Sequence, residues 1–97
     1  MRWIALFDDS PVMPEVRQKY EPAHLEYLRA NHGRILIAGG LREGPEASFS
    51  AGLWVLAPMP REQAVELVER DPYFIHGNRS YKLYQWGKAL QDIAVTL

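Results

Sequence analysis

Apolar positions along the chain change period several times, and each change marks an element. Residues 2–7 (RWIALF) are a short apolar run closed by Asp8, Asp9, Ser10 and Pro11, the composition of a strand entering a turn. From Pro14 to His32 the spacing becomes helical, with Val16, Tyr20, Ala23, Tyr27 and Leu28 on one stripe and Glu15, Lys19, Glu26 and Arg29 mostly elsewhere. Pro14 suits a first turn, whereas Pro22 removes an interior hydrogen bond, so the spacing predicts a helix that bends or restarts near residue 21. Residues 34–41 (RILIAGGL) and 48–58 (SFSAGLWVLAP) read as strands joined by a polar Gly/Pro loop, an antiparallel hairpin. Pro60 opens a second amphipathic helix carrying Ala64, Leu67 and Val68, which Pro72 stops, and residues 79–86 (RSYKLYQW) alternate as a fourth strand.

The order strand, helix, strand, strand, helix, strand predicts an α+β, ferredoxin-like βαββαβ sandwich: one four-stranded antiparallel sheet with both helices on one face. A single domain spans 1–97, with 87–97 as a tail that is a strand extension, a short helix or an arm on a partner. The first and third strands are apolar on both sides, Trp3, Ala5 and Phe7 against Ile4 and Leu6, and Leu53 and Val55 against Trp54 and Leu56. Two helices cover only one side. A wide apolar face is rarely left in water, which predicts a homodimer packed sheet to sheet. The competing expectation lays Trp3 and Trp54 against the C-terminal tail of the same chain.

Composition narrows the function. Eleven basic and 12 acidic residues are spread along the 97, giving no electrostatic footprint for nucleic acid or an anionic membrane. With 47% apolar residues the chain can fold, though its own interior is limited. The absence of cysteine excludes disulfides, thiolate zinc sites and Cys nucleophiles, and suits a reducing compartment. The first residues hold too short an apolar run for a signal peptide, so a cytoplasmic protein is expected.

Candidate chemistry centres on Asp71. Carried on along the second helix, its phase follows Ala64, Leu67 and Val68 toward the core, and Pro72 forces it into extended geometry. A buried carboxylate needs a partner. His24 lies among Tyr20, Tyr27 and Leu28 on the apolar side of the first helix, and in a split βαβ fold both helices share one side of the sheet. A carboxylate on one imidazole nitrogen fixes the tautomer and leaves the other nitrogen as a general acid or base. The same spacing also fits a core histidine satisfied by a carbonyl, with Asp71 capping the loop YFIHGN. His32 sits about 80° around the helix from His24, so the i, i+4 ligand pair of a zinc site is absent and no metal or cofactor is expected. His76 and Arg42 are candidates for a pocket rim, Arg42 for an anionic group, and Tyr73 joins them as a substrate-contacting ring. Gly39 and Gly40 offer close backbone approach or mark a strand-end bulge, without the spacing of a dinucleotide fingerprint. Asp8 and Asp9 are either pocket carboxylates or turn residues.

Residues 22–40 (PAHLEYLRANHGRILIAGG) and 69–86 (ERDPYFIHGNRSYKLYQW) together resemble the YciI-like, or YCII-related domain, family over nearly the whole chain. The shared features are a Pro/Ala-His-Leu helix, a Gly-Arg-Ile-Leu strand ending in Ala-Gly, and Asp-Pro-aromatic after the second helix. The resemblance implies a ferredoxin-like protein that dimerises through its sheets into an α+β barrel, with a pocket around His24 and Asp71. The fold is shared with muconolactone-isomerase-like proteins, and one branch of the family is associated with dehydrochlorination of a chlorinated hydroxyquinol. Three positions depart from the pattern: Gly40 where proline is common, Leu53 where serine is usual, and His76 in place of a small residue. The resulting expectation is a cofactor-free enzyme moving a proton on a small cyclic or aromatic substrate, by isomerisation, dehydrochlorination or another lyase step. A non-catalytic dimeric module that binds a small ligand is the alternative, and a cofactor-free monooxygenase a third reading.

Overall fold

A computed structural model describes all of residues 1–97. Strands β1 (Arg2–Asp8), β2 (Ile35–Leu41), β3 (Ala51–Leu56) and β4 (Ser80–Trp86) form one antiparallel sheet in the order β2-β3-β1-β4, and helices α1 (Met13–Ala30), α2 (Arg61–Glu69) and α3 (Pro72–Gly77) complete the chain. This is the ferredoxin-like order, with one helix more than expected.

Register explains which side chains meet the helices. Ala5 pairs with Trp54 and Leu83, Phe7 with Gly52 and Tyr81, and Trp3 with Leu56, so the odd positions of β1 share a face with the even positions of β3. On that face Trp3, Ala5, Phe7, Trp54 and Leu56 pack against Ala64, Leu67 and Val68 of α2 in one buried core. Sealing a side chain such as Phe7 or Leu56 stabilises by about 1.5–3 kcal/mol. Trp3 and Trp54 therefore lie under the helices, not against the tail; the Trp3 indole donates to the Met59 carbonyl at 2.8 Å.

Three local expectations change. Pro22 lies inside one continuous helix, because the carbonyl it leaves unpaired belongs to Gln18, and both residues are exposed to water. Ala23 of the expected stripe is exposed and His24 is buried instead. Residues 72–77 are a helix, not a loop: the Asp71 carbonyl accepts from the amides of Phe74 and Ile75, and Asn78, at φ 46°, ends the turn in the left-handed region that Asn tolerates.

The other face of the sheet carries Leu6, Ile37, Leu41, Leu53, Val55, Tyr84 and Trp86, with Leu6, Ile37, Leu41, Tyr84 and Trp86 exposed. Residues 87–97 cross this face without regular structure and enclose an apolar hollow of about 770 Å³, lined also by Gly39 and Gly40. No helix is long and apolar enough to cross a membrane.

Candidate functional site

Asp71 sits where α2 has ended and α3 has not begun, with extended backbone (φ −69°, ψ 134°) as the following proline requires. Its carboxylate caps neither helix. It turns into the core, fully buried, and meets His24 from the middle of α1: Oδ1 accepts from Nδ1 at 2.6 Å. A carboxylate can only accept, so Nδ1 carries the hydrogen and Nε2 is the lone-pair nitrogen. Nε2 makes no hydrogen bond to protein and keeps contact with solvent, whereas Asp71 Oδ2 is sealed without a partner. The dyad thus has one closed end and one open end, the orientation that general acid–base chemistry needs.

Aromatic rings fix the imidazole plane. Tyr73, the second residue of α3, stacks on His24 with centroids 3.7 Å apart and planes 7° from parallel, and Trp54 stands 6.5 Å away. One helical turn outward, His76 stacks on Tyr20 at 3.9 Å, so α1 and α3 are joined by two parallel Tyr/His pairs. Burial holds the Tyr73 phenol above its ordinary pKa, and the Glu21 charge adds to the effect. Tyr27 is raised likewise by burial and then by the charge of Asp71, and its hydroxyl donates to the Leu67 carbonyl at 2.7 Å.

A second polar group adjoins the first. Asp9 continues the inward phase of Trp3, Ala5 and Phe7, and its carboxylate bridges Arg17 of α1 at 2.9 Å and Arg79, ahead of β4, at 3.2 Å. The Arg79 side chain is only 3% exposed; its guanidinium lies 4.3 Å over Phe7 and 6.0 Å over Tyr73, while Arg17 lies 5.6 Å over Tyr73. Contacts therefore run in a closed circuit from His24 through Tyr73, Arg79, Phe7 and Trp54 back to His24. Desolvation lowers the Arg79 pKa, with Asp9 opposing the shift. Gly52 makes room for that guanidinium, since a Cβ there would stand 2.6 Å from its Nη2.

The sequence candidates divide accordingly. His24, Asp71 and Tyr73 converge, and His76 stays on the exposed side of α3. Arg42 lies at the outer end of a chain of contacts, 5.0 Å from the Phe49 ring, whose other neighbour is the Arg17 guanidinium at 5.5 Å. Gly40 faces Phe49, and Gly39 opens toward the hollow under the tail. Asp9 points inward rather than into a turn, while Asp8 is exposed. Arg17 and Arg79 were not singled out from sequence, although strand phase would have found one: Arg79 continues the inward series of Tyr81 and Leu83. No group of three or more His, Asp or Glu side chains is placed to hold a metal ion.

The model of the YCII-related domain matches residues 1–87. The chain belongs to that family. Among solved structures, this YCII-related chain is similar to the 5-chloro-2-hydroxyhydroquinone dehydrochlorinase TftG of Burkholderia phenoliruptrix AC1100, in complex with 2,5-dihydroxybenzoquinone. The match has a TM-score of 0.74 at 18% identity over 90% of this chain and 94% of that one. It is also similar to Atu4242 of Agrobacterium tumefaciens, with a TM-score of 0.51 and 13% identity over 92% and 96% of the two chains. These likenesses are of fold. No curated protein matches the YCII-related chain by sequence.

Proposed function

We propose that this YCII-related chain is a cofactor-free enzyme in which His24, oriented by Asp71, transfers a proton on a small cyclic or aromatic substrate. The observation that carries the reading is the asymmetry of the dyad, with Nδ1 held at 2.6 Å by a buried carboxylate and Nε2 open. In the forward step Nε2 takes a proton from an acidified C–H. The electron pair of that bond moves into the ring π system, and either a leaving group departs with its own pair or the proton returns at another carbon. The buried Asp71 carboxylate stabilises the imidazolium formed in between. Similarity in fold to a dehydrochlorinase supports the elimination branch, and the cysteine-free composition suits a cytoplasmic setting.

The reading is tested by incubating the protein with 5-chloro-2-hydroxyhydroquinone and with cyclic 1,3-diketones in deuterated water, following chloride release and C–H exchange by NMR. His24→Gln and Asp71→Asn are expected to lower either rate by about 100-fold or more while circular dichroism stays unchanged. Rates indifferent to both substitutions would sink it.

A second copy is proposed to cover the open sheet face, supported by the exposed Leu6, Ile37, Leu41, Tyr84 and Trp86 on it. The hollow under the tail also favours a non-catalytic reading, as a dimeric module that binds an apolar ligand there, away from His24.

A further inference from the structure

The chain leaves four buried side-chain polar atoms without a hydrogen-bond partner: Asp9 Oδ1, Arg17 Nε, Asp71 Oδ2 and Arg79 Nε. All four belong to the two polar groups that meet at Tyr73. Buried polar atoms in folded proteins are almost always paired, so orphans gathered at one place mark a site built for something further. Asp9 Oδ1 lies within ion-pair distance of Arg79 but out of hydrogen-bond alignment, so one carboxylate serves two guanidiniums and satisfies neither fully. Protein acceptors meet only Nη2 of Arg17, and Nη2 of Arg79 has only the misaligned Asp9; Nε and Nη1 of both are unused.

Charge decides what would complete the cluster. Asp9 is the one carboxylate in contact with Arg17 and Arg79, because Asp71 is committed to His24. A proton passed from a bound C–H to Nε2 leaves its charge on the substrate, so the net charge of the site is unchanged and the new negative charge needs donors beside the dyad. An anionic oxygen entering beside Arg17 and Arg79 would supply acceptors for the unused donors and a second negative charge for two guanidiniums that share one carboxylate. A neutral polar group would supply only the first.

From this convergence we infer that Arg17 and Arg79, bridged by Asp9, form an anion-recognising subsite, and that the molecule processed by the dyad is a small planar organic acid. Its carboxylate or enolate oxygen rests on the guanidiniums while the neighbouring carbon faces His24 Nε2. The inference rests on the proton-transfer reading for which carbon reacts, and on the arginine cluster alone for recognition. Arg17 and Arg79 are binding residues here. Gly52 is a positioning residue, because its missing side chain is what lets Arg79 reach the site.

Calorimetric titration with 2-hydroxybenzoate and its neutral counterpart 2-hydroxybenzamide separates the cases. The acid is expected to bind saturably and the amide about tenfold more weakly or worse. Arg17→Gln, at the more exposed of the two arginines and with folding checked by circular dichroism, should weaken the acid about tenfold and leave the amide unchanged. Arg17→Lys should recover only part of the loss, since an ammonium lacks the planar fork. Gly52→Ala should weaken the acid without removing any charge. Equal affinity for acid and amide, indifference of the acid to both Arg17→Gln and Gly52→Ala, or no binding of the acid up to about 10 mM would each overturn the subsite. These readouts are independent of the exchange rates that test His24, so failure of one reading is distinguishable from failure of the other.

Discussion

On the helix-covered face of the sheet, Phe7, Trp54 and Leu56 are sealed, and the charges among them are grouped with opposite charges or polar partners: His24 with Asp71, Arg17 and Arg79 with Asp9. On the opposite face, built from the intervening residues of the same strands, no ion pair forms, and the apolar groups meet a tail whose Leu90, Ile93, Val95 and Leu97 are themselves about half exposed. Strand periodicity gives both faces equal apolar content in β1 and β3, yet three helices complete only one of them. The completed face can desolvate a dyad and orient it. The uncovered one can supply an interface, but it holds no polar group with a defined direction.

Adjacent residues of β3 expose that contrast most sharply. Trp54→Ala, on the covered face, is expected to cost about 3–5 kcal/mol in urea unfolding, through a cavity between Phe7 and His24. Leu53→Ala, on the other face and half-buried, is expected to cost about 1 kcal/mol in dilute, monomeric protein. Equal costs there would mean that the tail alone seals the open face. Sedimentation then separates tail from partner. The parent is expected to be a dimer at micromolar concentration and Leu53→Asp a monomer, and a monomeric parent would end the proposal of sheet-to-sheet packing.

Which features were legible in the sequence follows from the same geometry. The order of six elements could be read because each is long enough to show its period, and His24 and Asp71 could be paired because helical phase and Pro72 aim both inward. Helix α3 was hidden: six residues beginning with proline show less than two turns of pattern, and aromatic residues before Gly77-Asn78 resemble a loop. The Arg17–Asp9–Arg79 group was hidden for another reason. Asp9 sits in a turn-like DDSP run and Arg79 beside a turn signal, so local composition argued for solvent while strand phase, two residues beyond Phe7 and two before Tyr81, argued for the core. Phase won because the two charges neutralise each other across strands that sequence alone does not show to be neighbours.

The glycines of the central hairpin carry the comparison at a smaller scale. Gly52 faces the helices, where a Cβ would collide with Arg79 Nη2 at 2.6 Å, and Gly39 faces the hollow, with nothing within 4 Å. Gly52→Ala is expected to destabilise by about 1–3 kcal/mol, because the buried guanidinium has no space to withdraw into. Gly39→Ala should be neutral or stabilising by about 0.5 kcal/mol, since it only reduces the freedom of the unfolded chain. Paired thermal melts check both. A destabilising Gly39→Ala would show that a tail or partner approaches the open face more closely than this hollow implies.

The smallest effect separates the rim of the covered face from its interior. Tyr81 packs its ring on Phe7 and Phe74 and donates its hydroxyl to Glu69 Oε2 at 2.6 Å. Burial first, and then the hydrogen bond to Glu69, push its pKa up to about 12. The unfolded chain releases that proton near pH 10. A pKa raised by folding means that the native state holds the proton more tightly, so the contribution of Tyr81 to stability is complete below about pH 10 and is lost as pH rises toward 12. Glu69 is exposed, so solvent screens the pair and the loss should be slight. Ultraviolet titration of phenolate absorbance checks it: Glu69→Gln, which removes the charge but keeps an acceptor, should lower the apparent Tyr81 pKa without returning it to 10. An unchanged titration would assign the whole shift to the packing of the ring between Phe7 and Phe74, and so to the covered face itself.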